Sequence, residues 1–144
     1  MKALILAAGK GTRLAPLTND IPKCMVKYNN KSIIDYELEA LKENYITDIA
    51  IVGGYLYDVL KKYVNIDKFY INDRFENTNM VWTMFCAREF LESCARDKQD
   101  LIVTYADIIY ENKIIKKLKD YNGDFGVIID KDWRELWNDR FEDI

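Results

Sequence analysis

The apolar run Ala3-Leu4-Ile5-Leu6-Ala7-Ala8 passes directly into Gly9-Lys10-Gly11-Thr12-Arg13-Leu14. A short uninterrupted apolar stretch bounded by turn residues reads as a buried strand. The glycines behind it read as a tight turn, and Lys10 and Arg13 make that turn cationic. Main-chain amides freed by glycines, with cations beside them, suit a polyphosphate. Pro22-Lys23 follows and brings a third cation within reach of the same place.

The rest of the chain alternates strand and helix signals. A strand is expected over Ala3 to Ala7, a helix over Ser32 to Lys42, and a strand over Asp48 to Val52 ending in Gly53-Gly54. A helix follows over Tyr55 to Tyr63, a strand over Lys68 to Ile71, and a helix over Met80 to Leu91 opening after Asn77-Thr78-Asn79. Then come a strand over Leu101 to Tyr105, a helix over Asn112 to Lys119 and a strand over Gly126 to Ile129. Repeated βα units predict an α/β fold, with a mostly parallel sheet covered by helices on both faces. No linker or internal repeat divides the chain, so residues 1–144 are expected to form a single domain. After the last strand signal comes Lys131-Asp132-Trp133-Arg134-Glu135-Leu136-Trp137 without a closing element. The expectation is the first part of a longer domain, truncated at its C-terminus.

Composition narrows the chemistry. With 49% apolar and 31% charged residues the sequence has the balance of a globular protein. A net charge of −3 argues against broad nucleic-acid binding but leaves room for one cationic pocket. There is no histidine, which removes Ser-His and Cys-His pairs and His-based zinc sites. Any chemistry must use carboxylates, Lys, Arg, main-chain amides or a hard cation. Cys24, Cys86 and Cys94 are widely spaced with no CxxC, and a reduced cytoplasmic setting is expected. The apolar stretch before Gly9 is short for a signal peptide, and no run reaches membrane-spanning length.

Three phosphate motifs compete for the Gly-rich turn. The dinucleotide fingerprint GxGxxG fails at Leu14, where the third glycine belongs, and the second strand ends in Gly53-Gly54 with no acidic residue for a ribose. NAD or FAD binding is the weakest reading. The P-loop spacing GxxxxGK[ST] is absent. The third pattern is Leu-x-x-Gly-x-Gly-Thr-Arg-Leu over Leu6 to Leu14, followed by Pro22-Lys23. In these residues the chain resembles the nucleotidyltransferases that activate sugar phosphates and related phosphoesters, the pyrophosphorylase-type enzymes with a three-layer Rossmann-like fold.

The resemblance implies roles. Leu6, Ala7, Ala8, Gly9, Gly11 and Thr12 would form the nucleotide loop, Arg13 would hold the triphosphate, and Lys23 would stabilise charge on the transferring phosphorus. Gly54 and Tyr55 fall where the family reads the base with backbone groups. Asn79 matches an Asn at the base or ribose in the small cytidylyltransferases, and Thr83 lies one turn on, on the same face. Asp107, in Thr104-Tyr105-Ala106-Asp107, matches the family's Mg²⁺ ligand. The usual Asp-x-Asp has Tyr105 at its first position here. Trp133 and Trp137, with Asp132, are candidates to hold a quaternary ammonium acceptor. Plainer structural roles stand beside these: a simple turn at the glycines, an N-cap at Asn79, a turn cap at Asp107, packing for the two indoles.

The segment Phe75 to Met84 is more similar to the phosphocholine-type cytidylyltransferases than to the sugar pyrophosphorylases. The expected activity is transfer of CMP from CTP to a phosphorylated small molecule, such as a choline-like, phospho-amino-acid or amide acceptor used in surface-polysaccharide decoration, with release of pyrophosphate. A sugar-1-phosphate nucleotidyltransferase using UTP, dTTP or GTP is the alternative. So is a truncated nucleotide-binding module with little catalysis. No nucleic-acid or membrane partner is expected, and an exposed sheet edge allows for a homo-oligomer.

Overall fold

The structure, a computed structural model, describes residues 1–135. Its centre is β1 (Lys2–Ala7), in which all six residues are buried. Side chains alternate across a strand, so β1 feeds two cores at once. Ala3, Ile5 and Ala7 enter one apolar cluster, and Leu4 and Leu6 enter the other. β4 (Ile49–Gly53) does the same, with Ile49 and Ile51 on the first face and Ala50 and Val52 on the second.

Between them in sequence comes a separate two-strand ribbon, β2 (Lys27–Tyr28) and β3 (Lys31–Ser32). Asn29 and Asn30 turn it, both at positive φ, which is the backbone a two-residue hairpin demands and asparagine tolerates. Ser32 then caps α1 (Ile33–Glu43), its Oγ accepting from the Asp35 N–H at 3.2 Å. Ile34, Leu38 and Leu41 form the buried stripe of α1 on the first face. α2 (Tyr57–Tyr63) adds Leu60 there, and α5 (Asn112–Lys119) adds Ile115.

β5 (Lys68–Ile71) and β6 (Leu101–Tyr105) complete a wholly parallel sheet in the order β5-β4-β1-β6. After β1 the chain builds outward through β4 and β5, then returns to place β6 on the other side of β1. The reversal opens a crevice at the carboxyl ends of β1 and β6, the place where open α/β sheets take ligands.

Two expectations need correction. The single helix over Met80 to Leu91 is two helices, α3 (Met80–Phe85) and α4 (Arg88–Arg96). They part at Cys86 and Ala87, where Ala87 N–H bonds back only three residues to Met84 O at 3.1 Å. α3 stands at the end of the sheet with Met80, Val81, Trp82 and Phe85 exposed. α4 lies on the second face and buries Phe90 and Cys94. One straight helix cannot meet both demands. Gly126 to Ile129 form no strand: Val127 is 65% exposed and Ile129 is 73% exposed. An apolar run becomes a strand only where a neighbouring ladder takes its amides, and this one pairs with no strand of the sheet. A smaller difference lies at α2, which begins at Tyr57 because Leu56 holds a left-handed conformation.

Candidate active site

The crevice holds a cleft of about 320 Å³. Its first wall is the turn after β1. Gly11 has φ 66°, a left-handed conformation that glycine adopts without steric cost. It starts a short 3-10 turn, Thr12–Leu14, closed by Leu14 N–H on Gly11 O at 2.9 Å. The buried Thr18 hydroxyl donates to the same carbonyl at 3.0 Å. With that carbonyl tied back, the main-chain N–H groups of Gly9, Lys10, Gly11 and Thr12 donate no hydrogen bond among the described residues. Gly9, Gly11 and Thr12 line the cleft, so their amides stand there as open donors.

The second wall is built by position 23 and the end of β6. Pro22 leads into a 3-10 turn, Lys23–Met25, anchored by the buried Cys24. Ala106 N–H extends the ladder onto Leu6 O at 3.1 Å, so the next residue, Asp107, emerges beside the Gly-rich turn. Lys23 Nζ reaches Asp107 Oδ2 at 2.6 Å, joining residues 84 apart in sequence. The stem of Lys23 lies close under Gly11, where an added methyl group would come within 2.8 Å of Lys23 Cβ. Gly11 is therefore needed for its conformation and for room. Gly9 is different. A methyl group there would meet nothing within 4 Å.

The third wall is the start of α3. Asn79 is its N-cap, Oδ1 accepting from Trp82 N–H at 3.1 Å, and it also lines the cleft. Thr83 is buried, donates to Asn79 O at 3.2 Å, and shows one side to the cleft. Tyr105, at the first position of the Asp-x-Asp pattern, bonds Met80 Sδ through its hydroxyl at 2.8 Å.

Most of the residues singled out in the sequence thus gather at one cleft: Leu6, Ala7, Ala8, Gly9, Gly11, Thr12 and Arg13 on the turn, then Lys23, Asn79, Thr83 and Asp107. Gly54 and Tyr55 do not line it. Gly54 packs on the turn from behind, where an added methyl group would come within 2.7 Å of Ala8 O, and Tyr55 N–H donates to that same oxygen at 3.0 Å. They support the loop. Trp133 is not among the lining residues either, and Trp137 lies outside the described residues.

Sequence reasoning missed the residue that hangs the third wall. Asn72 is fully buried at the end of β5. Its Nδ2 donates to Thr83 Oγ1 at 2.9 Å and Thr78 Oγ1 at 3.0 Å, while its Oδ1 accepts from Arg74 N–H at 3.0 Å. Its own N–H bonds Gly53 O at 2.8 Å. The only local signal was an Asx-type turn in Asn72-Asp73-Arg74.

Beneath the floor lies a buried acid. Glu37 of α1 is 1% exposed, and Tyr110 Oη approaches its Oε1 at 3.5 Å. Burial pushes the Glu37 carboxyl up to about 7, with the Asp107 charge adding to the effect. The Thr104 hydroxyl lies near enough to oppose that rise, yet Thr104 Oγ1 and Glu37 Oε2 each lack a hydrogen-bond partner among the described residues. Burial also raises the Tyr110 hydroxyl, with Glu37 assisting. The Cys24 thiol is pushed up to about 12 by the same cause and is inert.

The donor set at Asp107 fits a hard cation. It offers carboxylate oxygen, partly exposed at the cleft, opposite open amides suited to phosphate. Among the described residues no cluster of three carboxylate or thiol side chains surrounds it. Mg²⁺ needs only one or two carboxylates, because it keeps waters and substrate phosphates around it.

Residues 2–136 match the family model described as Nucleotidyl transferase. The chain belongs to the nucleotidyl transferase family. Over 98% of its length this family member is 54% identical to the CTP:phosphoglutamine cytidylyltransferase of Campylobacter jejuni, covering 57% of that protein. Over 63% of its length it is 43% identical to the choline-phosphate cytidylyltransferase of Streptococcus pneumoniae, covering 41% of that protein. The chain spans about half the length of the curated relatives it matches. Among solved structures it resembles the CTP:phosphocholine cytidylyltransferase of Streptococcus pneumoniae, with a TM-score of 0.61 at 35% identity over 78% of this chain and 49% of that one. The inositol-1-phosphate CTP transferase of T. maritima shares the fold, with a TM-score of 0.66 at 21% identity over 81% of this chain and 47% of that one.

Proposed function

We propose that the chain is the nucleotide-binding part of a cytidylyltransferase, which transfers CMP from CTP to a phosphorylated small molecule and releases pyrophosphate. The observation that carries this reading is the set of open amides at Gly9, Gly11 and Thr12, facing Lys23 and Asp107 across one cleft. Nothing in the fold requires glycine at position 9. The open space beside it leaves room for close approach by a ligand. The named activities of the two curated relatives support CTP as the donor and a phosphorylated small molecule as the acceptor.

The chemistry follows from the residues present. A phosphomonoester has a second pKa of about 6, so at neutral pH it is already a dianion and needs no general base. The absence of histidine is no obstacle. What the reaction needs is alignment of two anions and relief of their repulsion. The loop amides and Arg13 hold the triphosphate tail, and Lys23 carries positive charge to the α-phosphorus. Asp107 would hold Mg²⁺, which would neutralise charge on the triphosphate. Asn79 and Thr83 stand where the nucleoside would lie. A phosphorylated amide or choline acceptor is favoured over a sugar phosphate by the two cytidylyltransferase relatives. We place the activity in the cytoplasm, where the three free cysteines would stay reduced.

The alternative reading is a module that binds CTP with little turnover. Calorimetry with CTP and Mg²⁺, paired with pyrophosphate release on phosphoglutamine, phosphocholine and a sugar 1-phosphate, decides between them. Binding with release on the first two supports the transferase. Binding without release on any acceptor supports the module, and no binding of any nucleotide refutes both.

A further inference from the structure

We propose that Glu37 acts as a neutral acid and positions the second wall of the cleft. Its carboxyl joins Tyr110 to Thr104, and so holds the end of β6, which carries Asp107, beside the turn that carries Lys23. Glu37 is a positioning residue in this role, and only the turnover arm of its test rests on the transferase reading.

Glu37 sits where three segments meet. It projects from α1 into the first face of the sheet and is 1% exposed. The turn Lys23–Met25 packs on α1, and Ile33 N–H donates to Val26 O at 3.1 Å just beyond that turn. Its buried Cys24 is close enough to feel the Glu37 charge. β6 supplies Thr104, and the segment after it supplies Tyr110. Asp107 stands between those two, and Ala106 N–H before it bonds Leu6 O at 3.1 Å. Whatever fixes Thr104 and Tyr110 therefore fixes the stretch that bears Asp107.

The surroundings decide the protonation state. The titratable groups acting on this carboxyl are the Cys24 thiol, the Tyr110 hydroxyl and the Asp107 carboxylate. None of them brings a positive charge. α5 turns Ile115 to this face, its Lys113, Lys116 and Lys117 are exposed, and its Lys119 donates to Asn44 O at 2.6 Å. β1 and β4 bring apolar side chains there. An ionised carboxylate at this depth needs a cation or several donors. Glu37 has one hydroxyl, Tyr110 Oη on Oε1 at 3.5 Å, and a like charge at Asp107.

Glu37 Oε2 and Thr104 Oγ1 are both buried, and neither has a hydrogen-bond partner among the described residues. A proton on Oε2, donated to Thr104 Oγ1, serves both atoms, while Oε1 goes on accepting from Tyr110. The chain Tyr110–Glu37–Thr104 is then closed and carries no net charge. On ionisation the proton passes to solvent and leaves a buried, unpaired charge under Asp107, which favours opening of the joint. Burial places that ionisation at about 7, inside the working range.

The test uses the full chain and three readouts. Carboxyl-carbon NMR should show one glutamate that titrates near neutral pH and is missing from Glu37→Gln. Exchange of the Ala106 amide, read at about pH 6, should be about tenfold faster in Glu37→Leu and unchanged in Glu37→Gln. The Asn72 amide, bonded to Gly53 O at the opposite edge of the sheet, should be unchanged in both. Turnover should rise as the acceptor phosphate ionises at about pH 6 in wild type and Glu37→Gln alike. It should then fall above about 7 in wild type and stay level in Glu37→Gln. Glu37→Met replaces the leucine variant if that one folds poorly. A Glu37 carboxyl that titrates in the ordinary glutamate range overturns the proposal. So does equal acceleration of both amides, which is loss of overall stability alone, or a falling limb that persists in Glu37→Gln. If no form releases pyrophosphate, the transferase reading fails, and the NMR and exchange results still decide for or against Glu37.

Discussion

Lys23 pairs with Asp107 at 2.6 Å and lines the same cleft as the Gly-rich turn. Lys23→Ala is expected to lower turnover by at least ~10²-fold, the scale of losing one charge-stabilising donor. Wild-type turnover in a folded variant, measured by pyrophosphate release, would refute its role. Gly11→Ala should act through the backbone. A left-handed alanine costs about 1–2 kcal/mol, and its methyl group would press on Lys23 Cβ. Urea unfolding should show that loss together with weaker CTP binding. Glu37 makes a prediction about pH. Its ordinary value is 4.5 and burial raises it to about 7 in the folded state. Between those values the native chain holds a proton that the unfolded chain has lost. The stability from this group is therefore complete below pH 4.5 and declines as pH rises to about 7. Glu37→Gln should flatten that part of the stability–pH curve, and an unaltered curve would contradict the assignment.

At the scale of elements, α3 is hung from β5 by one side chain. Asn72 spends both amide hydrogens on Thr78 and Thr83 and accepts from Arg74, with no exposure to water. Removing it takes a partner from the buried Thr83 hydroxyl and from the less buried Thr78 hydroxyl and Arg74 N–H, and a buried polar group left unpaired costs about 1–3 kcal/mol. Asn79→Ala, by contrast, loses a single cap worth about 1 kcal/mol. We expect Asn72→Ala to be the more destabilising of the two in urea and also to weaken CTP binding. Equal, small effects would mean that α3 does not depend on Asn72. The break between α3 and α4 belongs to this scale as well. Periodicity continues through Cys86 and Ala87, so the sequence reads as one helix. The turn there exists because Phe90 and Cys94 must reach the sheet face while Asn79 and Thr83 face the cleft.

For the molecule as a whole, the parallel order β5-β4-β1-β6 puts the Gly-rich turn and Asp107 side by side. Ligand binding to that crevice should stabilise the entire fold. CTP with Mg²⁺ at about a hundred times its dissociation constant contributes ~2.7 kcal/mol. For a domain of this size that corresponds to roughly 5–15 °C in melting temperature. Thermal scans with CTP, UTP, dTTP and GTP should give the largest shift with CTP, and a larger shift with another nucleotide would redirect the reading toward a sugar pyrophosphorylase. The open face of β6 marks the other whole-molecule feature. Val103 is 37% exposed and Tyr105 is 41% exposed, whereas alternate residues Ile102 and Thr104 are buried. Among the described residues, one side of that strand is covered by helices and the other is not.

Much of this was legible without a structure, because it depends on short-range physics. The apolar run before Gly9 had to be a buried strand, and Lys68–Ile71, Leu101–Tyr105 and Asn112–Lys119 fall where periodicity placed them. A left-handed backbone at Gly11 and a cap at Asn79 are likewise decided by a few neighbouring residues. Tertiary packing decided what periodicity cannot express. It left Gly126 to Ile129 without a ladder, bent the chain at Ala87, and buried Asn72. It also carried Lys23 to Asp107 across 84 residues of sequence. A residue's own conformation answers to its nearest neighbours in the chain, but which charges meet depends on the order of strands in the sheet, and that order is set by how the whole core closes.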